Sequence, residues 1–145
     1  RWAAIAPGQT SLDFCFPDVD GKEICLKDLA GKYIFIDMWA TWCGPCRAQF
    51  PALRKLEHRY KGKDIQFVGI SSDSDKKAWE QVVRGENLMG IQLNIDGNRE
   101  FMDAYMIAAI PRFILLDKEG KIIQADMTRP SDPKTQQFLD DLLNY

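Results

Sequence analysis

A chain of 145 residues, 46% hydrophobic and 28% charged, carries enough apolar material for one buried core and shows neither the composition of a disordered segment nor that of a fibrous repeat. Nineteen basic against twenty-one acidic residues leave a net charge of −2, and no basic run marks a nucleic-acid or anionic-membrane footprint. No stretch reaches the roughly 18 consecutive apolar residues of a membrane-spanning helix, and RWAAIAPGQT lacks the regions of a signal peptide.

One domain over 1–145 is expected. Membrane attachment is expected only through an N-terminal anchor missing upstream of Arg1. SLDFCFPDVDGKEICL places two short apolar runs around Asp20-Gly21, predicting a β-hairpin over about 12–27. YIFIDMW (33–39) is a nearly unbroken apolar, aromatic and β-branched run, the pattern of a central strand covered on both faces. Phe50, Leu53, Leu56 and Tyr60 then recur at helical spacing, predicting one helix over 43–60 with Gly62 as its stop.

IQFVGIS (65–71) reads as a second buried strand, followed by a helix through DKKAWEQVV, which gives a right-handed βαβα unit. A strand at IQLNI, a helix through REFMDAY, a hairpin of RFILLD and KIIQAD turning at Lys118-Glu119-Gly120, and a last helix through TQQFLDDLL complete the chain. Ser131 and Asp132 are the candidate caps of that helix. This alternation predicts an α/β sheet layered with helices on both faces.

The chemistry centres on WATWCGPC (39–46), two cysteines three apart where a buried strand gives way to a helix. Unpaired N–H groups and the positive end of the helix dipole stabilise a thiolate there, so Cys43 is the expected nucleophile. Cys46, one turn further in, is the expected resolving thiol, and Pro45 falls where a missing N–H costs little. Zinc binding is the main rival. A structural zinc site wants four ligands, however, and the other cysteines, Cys15 and Cys25, stand apart, while the only histidine, His58, lies in a charged helical stretch. A lone CXXC beside βαβ reads as thiol-disulfide exchange.

Asp37 is a carboxylate inside an apolar strand, which predicts either a buried group with a raised pKa or one satisfied by backbone donors. Cys15 and Cys25 flank the hairpin nearly symmetrically, so they form either a cross-strand disulfide or, the commoner arrangement, a pair of small buried hydrophobes. Trp39 and Trp42 bracket the motif and read equally as packed side chains and as an apolar apron for partners.

WCGPC resembles the thioredoxin active site. The likeness extends to the preceding strand, to Pro51 five residues after Cys46, and to Ile110-Pro111. It implies a thioredoxin-like fold, a central mixed sheet with helices on both faces plus the N-terminal hairpin. It also implies a cis Pro111 against the cysteines, and substrate held along Trp42, Gly44, Pro45, Ile110 and Pro111. Asp37 matches the buried aspartate that takes the proton of the resolving cysteine. No cofactor or metal is implied beyond the redox-active Cys43-Cys46 pair. The partners implied are protein disulfides and an upstream electron-donor protein, met by a monomer.

The hairpin, the polar segment SSDSDKKAWEQVV and the length resemble the extracytoplasmic TlpA/ResA branch, which implies a periplasmic or membrane-anchored setting. Two features depart from the pattern. Gln49 stands where many branch members carry glutamate, and the lysine that partners the buried aspartate in thioredoxins, expected near Gly69 to Ser71, is absent. Gly44-Pro45 and Ile110 resemble reducing thioredoxins, implying a protein-disulfide reductase. A peroxiredoxin needs Thr-x-x-Cys, where this chain has Ala40; a non-catalytic thioredoxin-fold binding module is the other alternative.

Overall fold

In the computed structural model, which describes residues 1–145, the run YIFIDMW forms β3 (Tyr33–Trp39), the middle strand of a five-stranded sheet. The others are β4 (Ile65–Ser71), β5 (Ile91–Asn94), β6 (Arg112–Leu116) and β7 (Ile122–Gln124), in the order β5-β4-β3-β6-β7. β3, β4 and β5 run parallel; β6 is antiparallel to β3 and β7 to β6. The mixed α/β sheet agrees with the expectation.

Alternation along β3 divides the interior in two. Ile34, Ile36 and Met38 face a core with Phe14, Phe16, Phe101 and Tyr105, roofed by the hairpin and by α4 (Glu100–Ala104). Phe35 and Trp39 face the other core, built with α2 (Phe50–Arg59), α3 (Lys76–Gly85) and α5 (Pro133–Leu143). Asp75 caps α3 through the Ala78 N–H (3.1 Å), and Asp132, rather than Ser131, caps α5 through the Lys134 N–H (3.0 Å). Burying each Leu, Ile or Phe of these cores contributes about 1.5–3 kcal/mol, so β3, apolar on both sides, is the strand the fold is organised around.

The single helix expected over 43–60 is two: α1 (Gly44–Arg47) and α2, separated by Ala48-Gln49. Pro51 is the cause, because it has no N–H to give the Arg47 carbonyl and its ring crowds that turn. The chain tightens there, with the Gln49 N–H on the Cys46 carbonyl at 3.1 Å, and α2 restarts with the Leu53 N–H on the Gln49 carbonyl at 2.9 Å.

The N-terminal hairpin pairs β1 (Cys15–Pro17) with β2 (Glu23–Cys25). Gly21, at φ +83°, makes the turn, and the Asp18 carboxylate accepts the N–H groups of Asp20 and Lys22, each at 2.9 Å. A 3-10 turn over Leu26–Leu29, not foreseen, follows at once; Asp28 accepts the Cys25 N–H there at 2.9 Å. The register sets Cys15 directly opposite Cys25, and the two form a disulfide, which corrects the expectation of two small buried hydrophobes.

The N-terminal segment touches both margins of the large sheet. Asp18 bridges to Leu93 of β5, while Gly8 and Gln9 exchange hydrogen bonds with Ile122 of β7, both at 2.8 Å. No helix is long and apolar enough to cross a membrane.

Candidate active site

β3 ends at Trp39, and four residues later Cys43 caps the N-terminus of α1. Cys43 and Cys46 are joined in a disulfide, with the Cys46 N–H donating to Cys43 Sγ at 3.2 Å. Because α1 has only four residues, the stabilisation of a Cys43 thiolate comes from this local N–H more than from a long helix dipole. A hydrogen bond to a charged group contributes about 1.5–3 kcal/mol. Cys43 is 6% exposed and Cys46 1%, so Cys43 is the more open of two well-covered sulfurs.

Access to Cys43 runs through a groove of about 570 Å³ lined by Trp42, Pro45, Arg99, Met102 and Ile110. The two tryptophans separate. Trp39 is buried edge-to-face on Phe50 at 5.2 Å, whereas Trp42 is 71% exposed at the groove's rim. Gly44 and Pro45 are also exposed. The Ile110–Pro111 peptide is cis, and the Ile110 carbonyl lies 3.9 Å from Cys43 Sγ. The structure thus brings Cys43, Trp42, Gly44, Pro45 and Ile110 together around one groove, with Cys46 buried behind Cys43 and Pro111 next to Ile110.

Asp37 points into the same side of the sheet as Phe35 and Trp39, the side of the cysteine-bearing core. Its Oδ1 has no hydrogen-bond partner, so backbone donors do not satisfy that oxygen. Burial first, and the nearby Glu57 second, push the Asp37 carboxyl up to about 8. The charged neighbour is thus another carboxylate. Across the β3–β4 ladder Asp37 stands opposite Gly69, where a Cβ would collide with the Gln92 side chain. Gln92 occupies the space beside Gly69 from β5, in the region where thioredoxins carry their lysine. Gln49 is buried, and its Oε1 accepts the Ser131 N–H at 3.0 Å, a fastening between α2 and the loop before α5.

Asp73 escapes sequence reasoning, yet it is 3% exposed and its carboxylate accepts from the Thr41 N–H, the Thr41 hydroxyl and Ser71 Oγ. It holds the turn that leads into Cys43. Its only signal in the sequence is an acidic residue just past a buried strand's end. Glu57 and Arg99 were missed because each reads as a charge on a solvated helix face. Cys15, Glu23 and Cys25 bring potential metal-ligand atoms within 4.8 Å of one another, but both sulfurs are spent in the disulfide.

The Redoxin family matches residues 6–142. The thiol-disulfide oxidoreductase ResA of Bacillus anthracis is 32% identical over 132 residues, 91% of this chain and 76% of that protein. A Bacteroides vulgatus protein solved in solution, provisionally designated a thiol-disulfide oxidoreductase, is 60% identical over 91% of this chain and 87% of its own, with a TM-score of 0.85. A thiol:disulfide interchange protein from Bacteroides sp. is 26% identical with a TM-score of 0.88, covering 98% of this chain and 93% of its own. These neighbours share the thioredoxin-like fold.

Proposed function

Because the chain belongs to the Redoxin family and is a thiol-disulfide oxidoreductase of the TlpA/ResA type, we propose that it reduces disulfides in other proteins, with Cys43 attacking and Cys46 resolving. One observation carries this reading: the Cys43–Cys46 disulfide sits beside the Ile110 carbonyl at the mouth of an apolar groove. A client segment that pairs its backbone with Ile110 presents its own disulfide to Cys43, and such pairing tolerates many client sequences.

In the reduced state the Cys43 thiolate attacks a client sulfur and expels the other as a thiolate. Cys46 then attacks Cys43 Sγ, releasing the second client thiolate and restoring the internal disulfide. Two electrons pass from the two thiols to the client. Cys46 is almost fully covered, so its proton needs an internal acceptor. Asp37, held up near 8, takes that proton, directly or through water. Trp42 and Ile110 line the groove, with Pro111 holding the cis peptide that follows Ile110, and Gly44 and Pro45 line the approach. An upstream dithiol protein returns the electrons.

The second disulfide, Cys15–Cys25, supports an extracytoplasmic setting, since bridges of this kind persist in oxidising compartments. Insulin-disulfide reduction driven by dithiothreitol tests the activity. Wild type is expected to accelerate it and Cys43→Ser to abolish the acceleration; equal rates for the two proteins would remove Cys43 from the reaction.

A further inference from the structure

The Asp37 carboxylate borders a cavity of about 30 Å³, room for a water molecule. Three more polar side chains line it: Gln92, whose Oε1 is also buried with no partner, and Arg54 and Glu57 of α2. Glu57 lines a second, wider cavity as well, about 280 Å³, whose rim carries Lys32, Lys61, Lys63 and Asp64. One carboxylate therefore borders both the small inner space and the outer one. Gly90 leaves it room: at φ +71° it has no Cβ, and one placed there would stand 2.9 Å from Glu57 Oε2.

Asp37 must shed, before the next turnover, the proton it takes from Cys46, and a buried carboxylate needs a relay to bulk solvent. We propose that Glu57 moves protons between Asp37 and solvent, through a water held in the cavity they share. This rests on the reading of Asp37 as the acceptor for Cys46. Glu57 touches neither sulfur and acts only through Asp37.

As Cys46 attacks, its S–H bond breaks, its electron pair forms the Cys43–Cys46 bond, and its proton goes to Asp37; the client sulfur leaves with the electron pair of the broken bond. Neutral Asp37 then passes a proton to the cavity water while that water passes one to Glu57. Glu57 releases it to the outer cavity, and the client thiolate is protonated from solvent.

The electrostatics suit the two ends of such a relay. Burial is the main reason that Glu57 is pushed up to about 7, against the lowering pull of Arg54, and Asp37 is held near 8. Each carboxyl thus gains and loses a proton near neutrality. The groups facing the inner cavity are Asp37 from β3, Arg54 and Glu57 from α2, and the neutral Gln92 from β5; Tyr60 and the rim groups named above face Glu57 from outside.

Insulin reduction is measured between about pH 5 and 9 for wild type, Glu57→Gln and Glu57→Asp, with and without added imidazole as a diffusible proton carrier. Glu57→Gln is expected to slow turnover about tenfold near neutrality, less than the roughly 10²–10⁴-fold of a group acting directly on the reacting atoms, with imidazole recovering most of the loss and Glu57→Asp staying near wild type. Carbon-13 NMR titration of wild-type carboxyl groups supplies a readout independent of any variant's folding. Asp37 and Glu57 are expected to titrate as a coupled pair, each curve carrying the other's inflection.

A wild-type rate and pH profile in Glu57→Gln, a Glu57→Asp as slow as Glu57→Gln, or two independent NMR titrations each overturn the relay. Failure of the underlying reading looks different: Asp37→Asn keeps the wild-type pH profile, or wild type itself shows no turnover.

Discussion

Thr41 and Asp73, 32 residues apart in the chain, are locked together: the Thr41 N–H reaches both carboxylate oxygens, at 3.0 and 3.2 Å, and the Thr41 hydroxyl donates at 2.7 Å. Ser71 Oγ adds a fourth bond at 2.6 Å, and Asn94 Nδ2 donates to the Asp73 carbonyl at 2.9 Å. The turn two residues before Cys43 is thereby pinned to the ends of β4 and β5. Asp73→Ala strands the Thr41 and Ser71 donors while leaving the Asn94 bond to the main chain, and each orphaned donor costs about 1–3 kcal/mol. We expect a loss of about 2–4 kcal/mol in urea unfolding together with slower insulin reduction. A variant within 0.5 kcal/mol of wild type, on the order of an ordinary surface substitution, contradicts this role.

Asp37 costs the fold stability at neutral pH. Its folded-state pKa is raised from 3.8 to about 8, so the folded protein binds a proton that the unfolded chain releases as pH climbs past the unfolded value. The group's contribution is therefore most favourable below about pH 4 and is progressively lost up to about pH 8. Asp37→Asn removes the titration. The variant is expected to be more stable at neutral pH, by up to about 4 kcal/mol, with the gap closing on acidification. Urea midpoints recorded at neutral and acid pH check this; a gap that does not narrow on acidification refutes the assignment.

The Cys15–Cys25 bridge stands apart from the groove, so removing it is expected to weaken the fold and spare the exchange. The sequence separation is 10, and closing a loop of that size stabilises by about 2–3 kcal/mol on the chain-entropy account. Cys15→Ser combined with Cys25→Ser should lower unfolding stability by that amount while keeping insulin turnover within about twofold of wild type, a change below 0.5 kcal/mol. Loss of most of the turnover with the fold intact would show that this disulfide takes part in the reaction. In the complementary Cys43→Ser, Cys46→Ser protein, no free thiol should appear on unfolding without reductant.

How much of this was legible beforehand differs residue by residue. YIFIDMW announced the central strand because it is apolar on both faces, and CGPC announced the site because the chemistry needs two sulfurs at that spacing beside a strand end. The break at Ala48-Gln49 was readable in principle, since Pro51 has no N–H for the Arg47 carbonyl, but helical spacing runs straight through it. Cys15 and Cys25 were ambiguous because a register shift of one residue would have placed them on opposite faces. Asp73 and Glu57 were hidden for a stronger reason. A carboxylate's burial depends on what lies across from it, and the partners of Asp73 come from Thr41, Ser71 and Asn94, while the surroundings of Glu57 come from β3 and β5.

The N-terminal segment, which bridges Asp18 to β5 and binds Ile122 of β7 through Gly8 and Gln9, has a meaning for how the molecule meets others. Strand margins are where proteins stick to copies of themselves, because each unpaired ladder group invites a foreign strand. Here both margins are short and partly occupied by the chain's own beginning. If client polypeptides dock at the Ile110 carbonyl as proposed, the molecule thereby offers its backbone where a visitor meets sulfur and withholds it from the flanks, where a visitor would only start an aggregate.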